Sequence, residues 1–177
     1  MAEGICGVVL GLALSVAGAA AYAETESEVL YSYKSWQVSV VGFDDGSFAC
    51  LAEVSDPGES FSIWTYADGS AKLQFYSSSW DFGEAGDTAN LEVEVDNRSP
   101  WTLSNADLYQ NSVLFNLPAS DAGANFMIEV AKGNTLHLRA EDGSGVMDYS
   151  LAGSRASISA MFDCSDALAG TSTNPFK

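Results

Sequence analysis

The sequence predicts a mainly β fold: an antiparallel β-sandwich or strongly bent sheet of about eight or nine strands, with two short covering helices. Turn signals recur at short intervals. Asp45-Gly46, Asp68-Gly69 and Asp142-Gly143 are hairpin-type pairs, and Asp56-Pro57-Gly58 and Arg98-Ser99-Pro100 are breakers. The runs between them, such as Trp36 to Val41, Phe61 to Tyr66 and Leu91 to Val95, are rich in aromatic and β-branched residues. Only two segments show helical spacing. A chain of 177 residues that is 47% apolar and 11% aromatic suits one domain with a real core. With no repeat of fixed period and no interior linker, that domain is expected over 31–170. A loose mature N-terminus (24–30) precedes it and a loose tail (171–177) follows.

The first element is not part of the fold. Ile5 to Ala20 is uncharged and leads into Ala21-Tyr22-Ala23, whose small first and third residues suit signal peptidase. Residues 1–23 therefore read as a secretory signal cleaved after Ala23, which leaves no membrane span in the mature chain. The segment carries no Lys or Arg ahead of its apolar run, so an uncleaved anchor is the alternative. Export places the protein in the periplasm or outside the cell. Removing Cys6 with the signal leaves Cys50 and Cys164, an even pair in an oxidising compartment, and hence an expected disulfide.

The hairpin about Asp68-Gly69, given a two-residue loop, places Trp64, Tyr66, Ala71, Leu73 and Phe75 on one face. Its other face carries Phe61, Ile63 and Tyr76 near the base and Thr65 and Lys72 near the tip. With both faces partly apolar, either the hairpin lies between the core and a covering element, or Phe61, Ile63 and Tyr76 form an aromatic binding patch. In Leu91 to Val95 the apolar residues alternate with Glu92, Glu94 and then Asp96, as in a half-buried strand with its acids in water.

Asp121 to Lys132 has Phe126, Met127 and Val130 at helical spacing, Ser120 or Asp121 as cap and Gly133 as stop. If Asp142 to Gly145 form a four-residue loop, Leu136 faces Leu151, Leu138 faces Tyr149 and Ala140 faces Met147, while Arg139 meets Asp148 on the polar side. Ser154 to about Asp163 is the second helix, with Cys164 at its end. A bond from there to Cys50 pins the last helix against the first hairpin.

Composition removes several function classes. With 24 acidic and seven basic residues, a net charge of −17 repels phosphate backbones, so nucleic acid is not an expected partner. One histidine, His137, leaves no His-rich metal site, and it falls on a polar strand face. No Gly-x-Ser-x-Gly, Ser-x-x-Lys or His-Glu-x-x-His motif is present, and Gly143-Ser144-Gly145 lies in a hairpin turn where no helix follows to bind phosphate. No cofactor is expected. Asp81, Glu84 and Asp87, around Gly83 and Gly86, form a loose acidic loop and the best, though weak, cation candidate.

The ordering of the two ends resembles a known family. Trp36-Gln37-Val38 follows a signal segment and precedes a cysteine on the next strand, and the chain closes with Tyr149-Ser150-Leu151-Ala152-Gly153-Ser154, a small-residue helix and Cys164. This is similar to the exported alphaproteobacterial proteins typified by invasion-associated locus B. The resemblance implies a β-rich periplasmic or surface protein without known catalysis, associated in some cases with host-cell entry.

The function expected is a non-catalytic binding or interaction protein of the bacterial periplasm or envelope, engaging a protein or an envelope component. The alternative is an envelope hydrolase or carbohydrate-binding protein. That alternative needs a groove in which Trp64, Trp80, Trp101 or neighbouring tyrosines meet at least two acids. A third reading is an acidic, salt-adapted structural protein.

Overall fold

The computed structural model describes residues 26–84 and 86–170; the segments at 1–23 and 171–177 read above as signal and tail lie outside the described residues. In chain order the elements are β1 (Glu26–Tyr33), β2 (Trp36–Gly42), β3 (Phe48–Asp56), β4 (Glu59–Tyr66), β5 (Ala71–Ser77), β6 (Asp87–Val95), β7 (Trp101–Tyr109), β8 (Ser112–Leu117), α1 (Asp121–Lys132), β9 (Thr135–Ala140), β10 (Gly145–Ser150) and α2 (Ser154–Gly170). The ten strands form one antiparallel sheet in the order β1-β2-β3-β4-β5-β8-β7-β6-β9-β10. The bent sheet, and not a two-sheet sandwich, is the architecture.

The bend brings the two ends of the sheet together without closing it. The Trp36 indole on β2 donates to the Ser150 carbonyl at the end of β10 at 3.1 Å. Tyr149 on β10 lies 5.8 Å from Phe61 and 6.0 Å from Phe75 between ring centres. Inside the curl, cross-strand registers align apolar rows. One runs Trp36, Val54, Phe61, Phe75, Val113 across five strands, and the next Val38, Ala52, Ile63, Leu73, Phe115. Helix α2 packs on β1 to β4 and α1 packs on α2. Phe126, Val130, Ile158 and Met161 contribute their buried faces to the same core.

Residues 26–30 correct one expectation. They are not a loose end but most of β1, because β2 carries Trp36 and Val38 into the core and its outer main-chain groups need a partner. Charged residues are tolerated there because an edge strand faces water. Helix α2 is also longer than expected. Met161, Cys164 and Leu168 continue the helical spacing beyond Asp163, so Cys164 lies within the helix and not at its end.

The three Asp-Gly turns share one construction, and it decides two registers. In each the residue after Gly is Ser, and the loop has three residues. Phe43 N–H bonds to Ser47 O, Tyr66 N–H to Ser70 O and Ala140 N–H to Ser144 O at 2.9–3.0 Å. The glycines take φ of +80, +81 and +79°, a left-handed conformation costing other L-residues roughly 1–2 kcal/mol. The Oδ1 of Asp45, Asp68 and Asp142 accepts the N–H of the serine two residues on, at 2.9 Å in all three.

The third loop residue shifts the β4–β5 register by one from the two-residue expectation, which exchanges the faces. Phe61 and Ile63 join Leu73 and Phe75 inside, and Trp64, Tyr66 and Tyr76 turn outward. At β9–β10 the shorter loop and a bulge at Val146 shift the pairing by two, so faces are kept but partners change. His137, not Arg139, opposes Asp148, and Leu136 opposes Tyr149.

These turns carry an acid-sensitive contribution. The following serine's hydroxyl, and then its backbone N–H, holds the carboxyl of Asp45, Asp68 and Asp142 below the usual aspartate value. A depressed folded pKa supplies stability that is present above the unfolded pKa and lost as pH falls through the folded one. Urea midpoints measured between about pH 5 and pH 2 are therefore expected to fall more steeply for the wild type than for D45N/D68N/D142N, whose amides keep the turn bond without titrating. Parallel acid limbs would show that the carboxylates add nothing.

Candidate functional site

Cys50, fully buried on β3, is bonded to Cys164 on α2, with Cα atoms 6.1 Å apart. The remaining residues singled out in the sequence do not converge. Phe61 and Ile63 are core residues with no exposed surface, and half-buried Tyr76 lies on the opposite face of the sheet, so these three residues do not form the aromatic patch given above as one of two alternatives. Its place on the outer face is taken by a hydrogen-bonded band. The Trp64 indole donates to Gln74 at 2.8 Å, Gln74 donates to Ser112 at 2.9 Å, and the Ser62 hydroxyl donates to Glu53 at 2.7 Å.

Asp81, Glu84 and Asp87 are all exposed, and Asp81 accepts the backbone N–H of Gly83. Among the described residues no three acidic, His or Cys side chains gather as a metal site would need. The tryptophans named above occupy three settings: Trp64 in the outer band, Trp80 beside Phe82 at 5.5 Å, and Trp101 against α1.

The acidic strand β6 has a specific use. Glu94 accepts from Arg139 Nε at 2.8 Å, and His137 Nδ1 lies 2.6 Å from Asp148, giving a charged band across β6, β9 and β10. Asp96 accepts the N–H groups of Asn134 and Thr135 at 2.9 and 3.0 Å, and these bonds hold its carboxyl below the usual range. The first set ties β9 to its two neighbouring strands, and the Asp96 bonds fix the α1–β9 connection to the end of β6.

One site was not visible in the sequence. Strand β7 pairs with β8 only through Asp107, Leu108 and Tyr109, whereas it runs along β6 from Trp101. A bulge separates the two stretches. Asn105 sits at φ +56° and its N–H is taken by the Asn90 side chain at 3.1 Å. Bulges bend the strand that carries them. Beyond this one, β7 parts from the Phe115–Leu117 end of β8, and α1 roofs the gap.

The resulting cleft has a volume of about 160 Å³ and is lined by Trp101, Leu103, Phe115, Leu117 and Phe126, with Ala122 at the α1 side. Phe126 meets the Trp101 ring edge-on at 5.6 Å, and the Trp101 indole N–H donates to Glu129 at 3.1 Å, which fixes that wall. Gly123 lets α1 approach closely: a Cβ there would collide with the Pro118 carbonyl oxygen. The lining comes from three separate segments, each with an ordinary apolar pattern, so no local motif announces it. The clue in the sequence was Asn105 within a strand, since Asn is among the few residues that adopt the left-handed conformation readily.

The chain matches no protein-family model, no curated protein and no solved structure. No described helix is long and apolar enough to cross a membrane.

Proposed function

We propose that the protein is an exported, non-catalytic binding module of the bacterial periplasm or envelope. In this reading it anchors an aromatic or short alkyl group of a protein or envelope component in the cleft between β7 and β8. The cleft carries the reading. Its about 160 Å³ matches the size at which an apolar cavity accepts a single benzene ring. On either side of it, the Trp101 end of β7 and the Phe115–Leu117 end of β8 have no strand partner across the gap among the described residues, so an extended segment meets main-chain groups beside an apolar hole. The Cys50–Cys164 bond supports an oxidising location and holds the covering helices on the sheet that forms the cleft.

Fluorobenzene, followed by ¹⁹F NMR, tests this directly. Saturable binding is expected for the wild type. It should be lost in A122L, a substitution at an exposed helical position that narrows the cleft and leaves circular dichroism unchanged. Non-saturable partitioning, or equal binding by A122L, would remove the cleft as the recognition site.

A further inference from the structure

Among the described residues β1 lies at one end of the sheet order and pairs with β2 alone, while Tyr33 at its end lies against Gly153 ahead of α2. All eight of its residues are exposed, including Val29 at 51%, Leu30 at 50% and Tyr33 at 47%. Natural edge strands are commonly protected by shortness, charge, proline or a bulge. This one is eight residues long and has no lysine or proline within it; its protection is limited to two glutamates at its start and one bulge.

Its register with β2 sorts the side chains. Glu26, Glu28, Tyr31 and Tyr33 stand opposite Gly42, Val40, Val38 and Trp36, whereas Ser27, Val29 and Ser32 stand opposite Val41, Ser39 and Gln37. The extra residue of a bulge, Leu30, is what brings the tyrosines onto the same face as the glutamates. The inner side of this edge, continuous with Trp36 and Val38, therefore presents two exposed carboxylates followed by two exposed aromatic rings. The Tyr33 ring already has a cation near it, with Lys34 Nζ 5.6 Å from the ring centre.

We infer that β1 is a docking edge for an extended peptide segment bearing Lys or Arg, which adds to the sheet as a further antiparallel or parallel strand. Main-chain hydrogen bonds along the edge supply affinity, and Glu26, Glu28 and the tyrosine rings select cationic side chains. Charge decides the occupant. The chain carries a formal −17, which draws a basic segment toward the edge. A second copy of the same chain would instead bring two such charges together.

The probe is a short peptide alternating Lys and Val. It is compared with the same peptide methylated at every backbone nitrogen and with one alternating Glu and Val. The unmodified Lys peptide is expected to bind, to slow amide exchange within residues 26–33, and to weaken as salt is raised. The methylated and acidic peptides should not bind. E26Q/E28Q should weaken binding by roughly five- to tenfold, because each exposed pair is worth only modest energy. Equal binding of the methylated peptide would reduce the interaction to bulk charge and overturn strand addition. No binding of the Lys peptide, protection mapping away from β1, or β1 protection that rises with protein concentration alone would each overturn the proposal, the last by assigning the edge to a second copy. The peptide series uses the native chain, so it decides the matter even if a variant folds poorly. It is also independent of the fluorobenzene result at the β7–β8 cleft.

Discussion

Replacing both bridged cysteines, C50S/C164S, is expected to lower the free energy of unfolding by about 5 kcal/mol, read from denaturant titration. The bond joins residues 114 positions apart, and the chain-entropy cost of closing so long a loop in the unfolded state is of that order. Without the bond, α2 is held by noncovalent contacts, chiefly the packing of Met161 and Ile158 in the core and its contacts with α1. Amide exchange should therefore speed up first in α2, ahead of the central strands. Native protein should also contain no thiol reactive at Cys50 or Cys164 until it is unfolded and reduced. A variant as stable as the wild type, or free thiols in native material, would mean that the helix is held by packing alone.

The second large effect is at Phe61. Truncation to Ala is expected to cost about 3–5 kcal/mol, the range for deleting a fully buried aromatic side chain. Phe61 has no exposed surface, stacks on Phe75 at 5.1 Å, meets Trp36 edge-on at 6.0 Å and lies 5.8 Å from Tyr149. It thus couples β2, β4, β5 and β10, the strands that the curl brings together. Tyr76→Ala, on the outer face and only half-buried, should cost about 1 kcal/mol. Comparable losses at the two positions would contradict the face assignment. Thermal or urea unfolding of the pair separates a core residue from a surface patch without knowledge of any ligand.

That comparison also shows where sequence reasoning stopped. The strand runs, the turn positions and helix α1 over Asp121–Lys132 were legible because each rests on local chemistry: glycine after aspartate, β-branched runs, apolar residues at helical spacing. A two-residue loop would separate Phe61 and Ile63 from Leu73 and Phe75, whereas the three-residue loop unites them; one loop residue more or less is invisible to composition, yet it inverts a strand. The serine after each Asp-Gly pair was the available signal, since its N–H bond to the aspartate accompanies the three-residue loop in all three hairpins. In β1 the glutamates are interleaved with serine and no period-two apolar pattern marks a strand. Its place comes from pairing with β2, which is a long-range fact.

The sequence by itself determined a mainly antiparallel β protein with two helices and a pair of cysteines available for a bond. Turn chemistry, side-chain periodicity and cysteine number all act over a few residues or by simple count. Only the tertiary structure decided that the strands form a single curled sheet, that Phe61 belongs to its core, that β7 splits from β8 to open a cleft, and that β1 stands at the end of the sheet order among the described residues. Each of those outcomes depends on register, and register is set by which bulges and loop lengths let distant apolar rows meet in one interior.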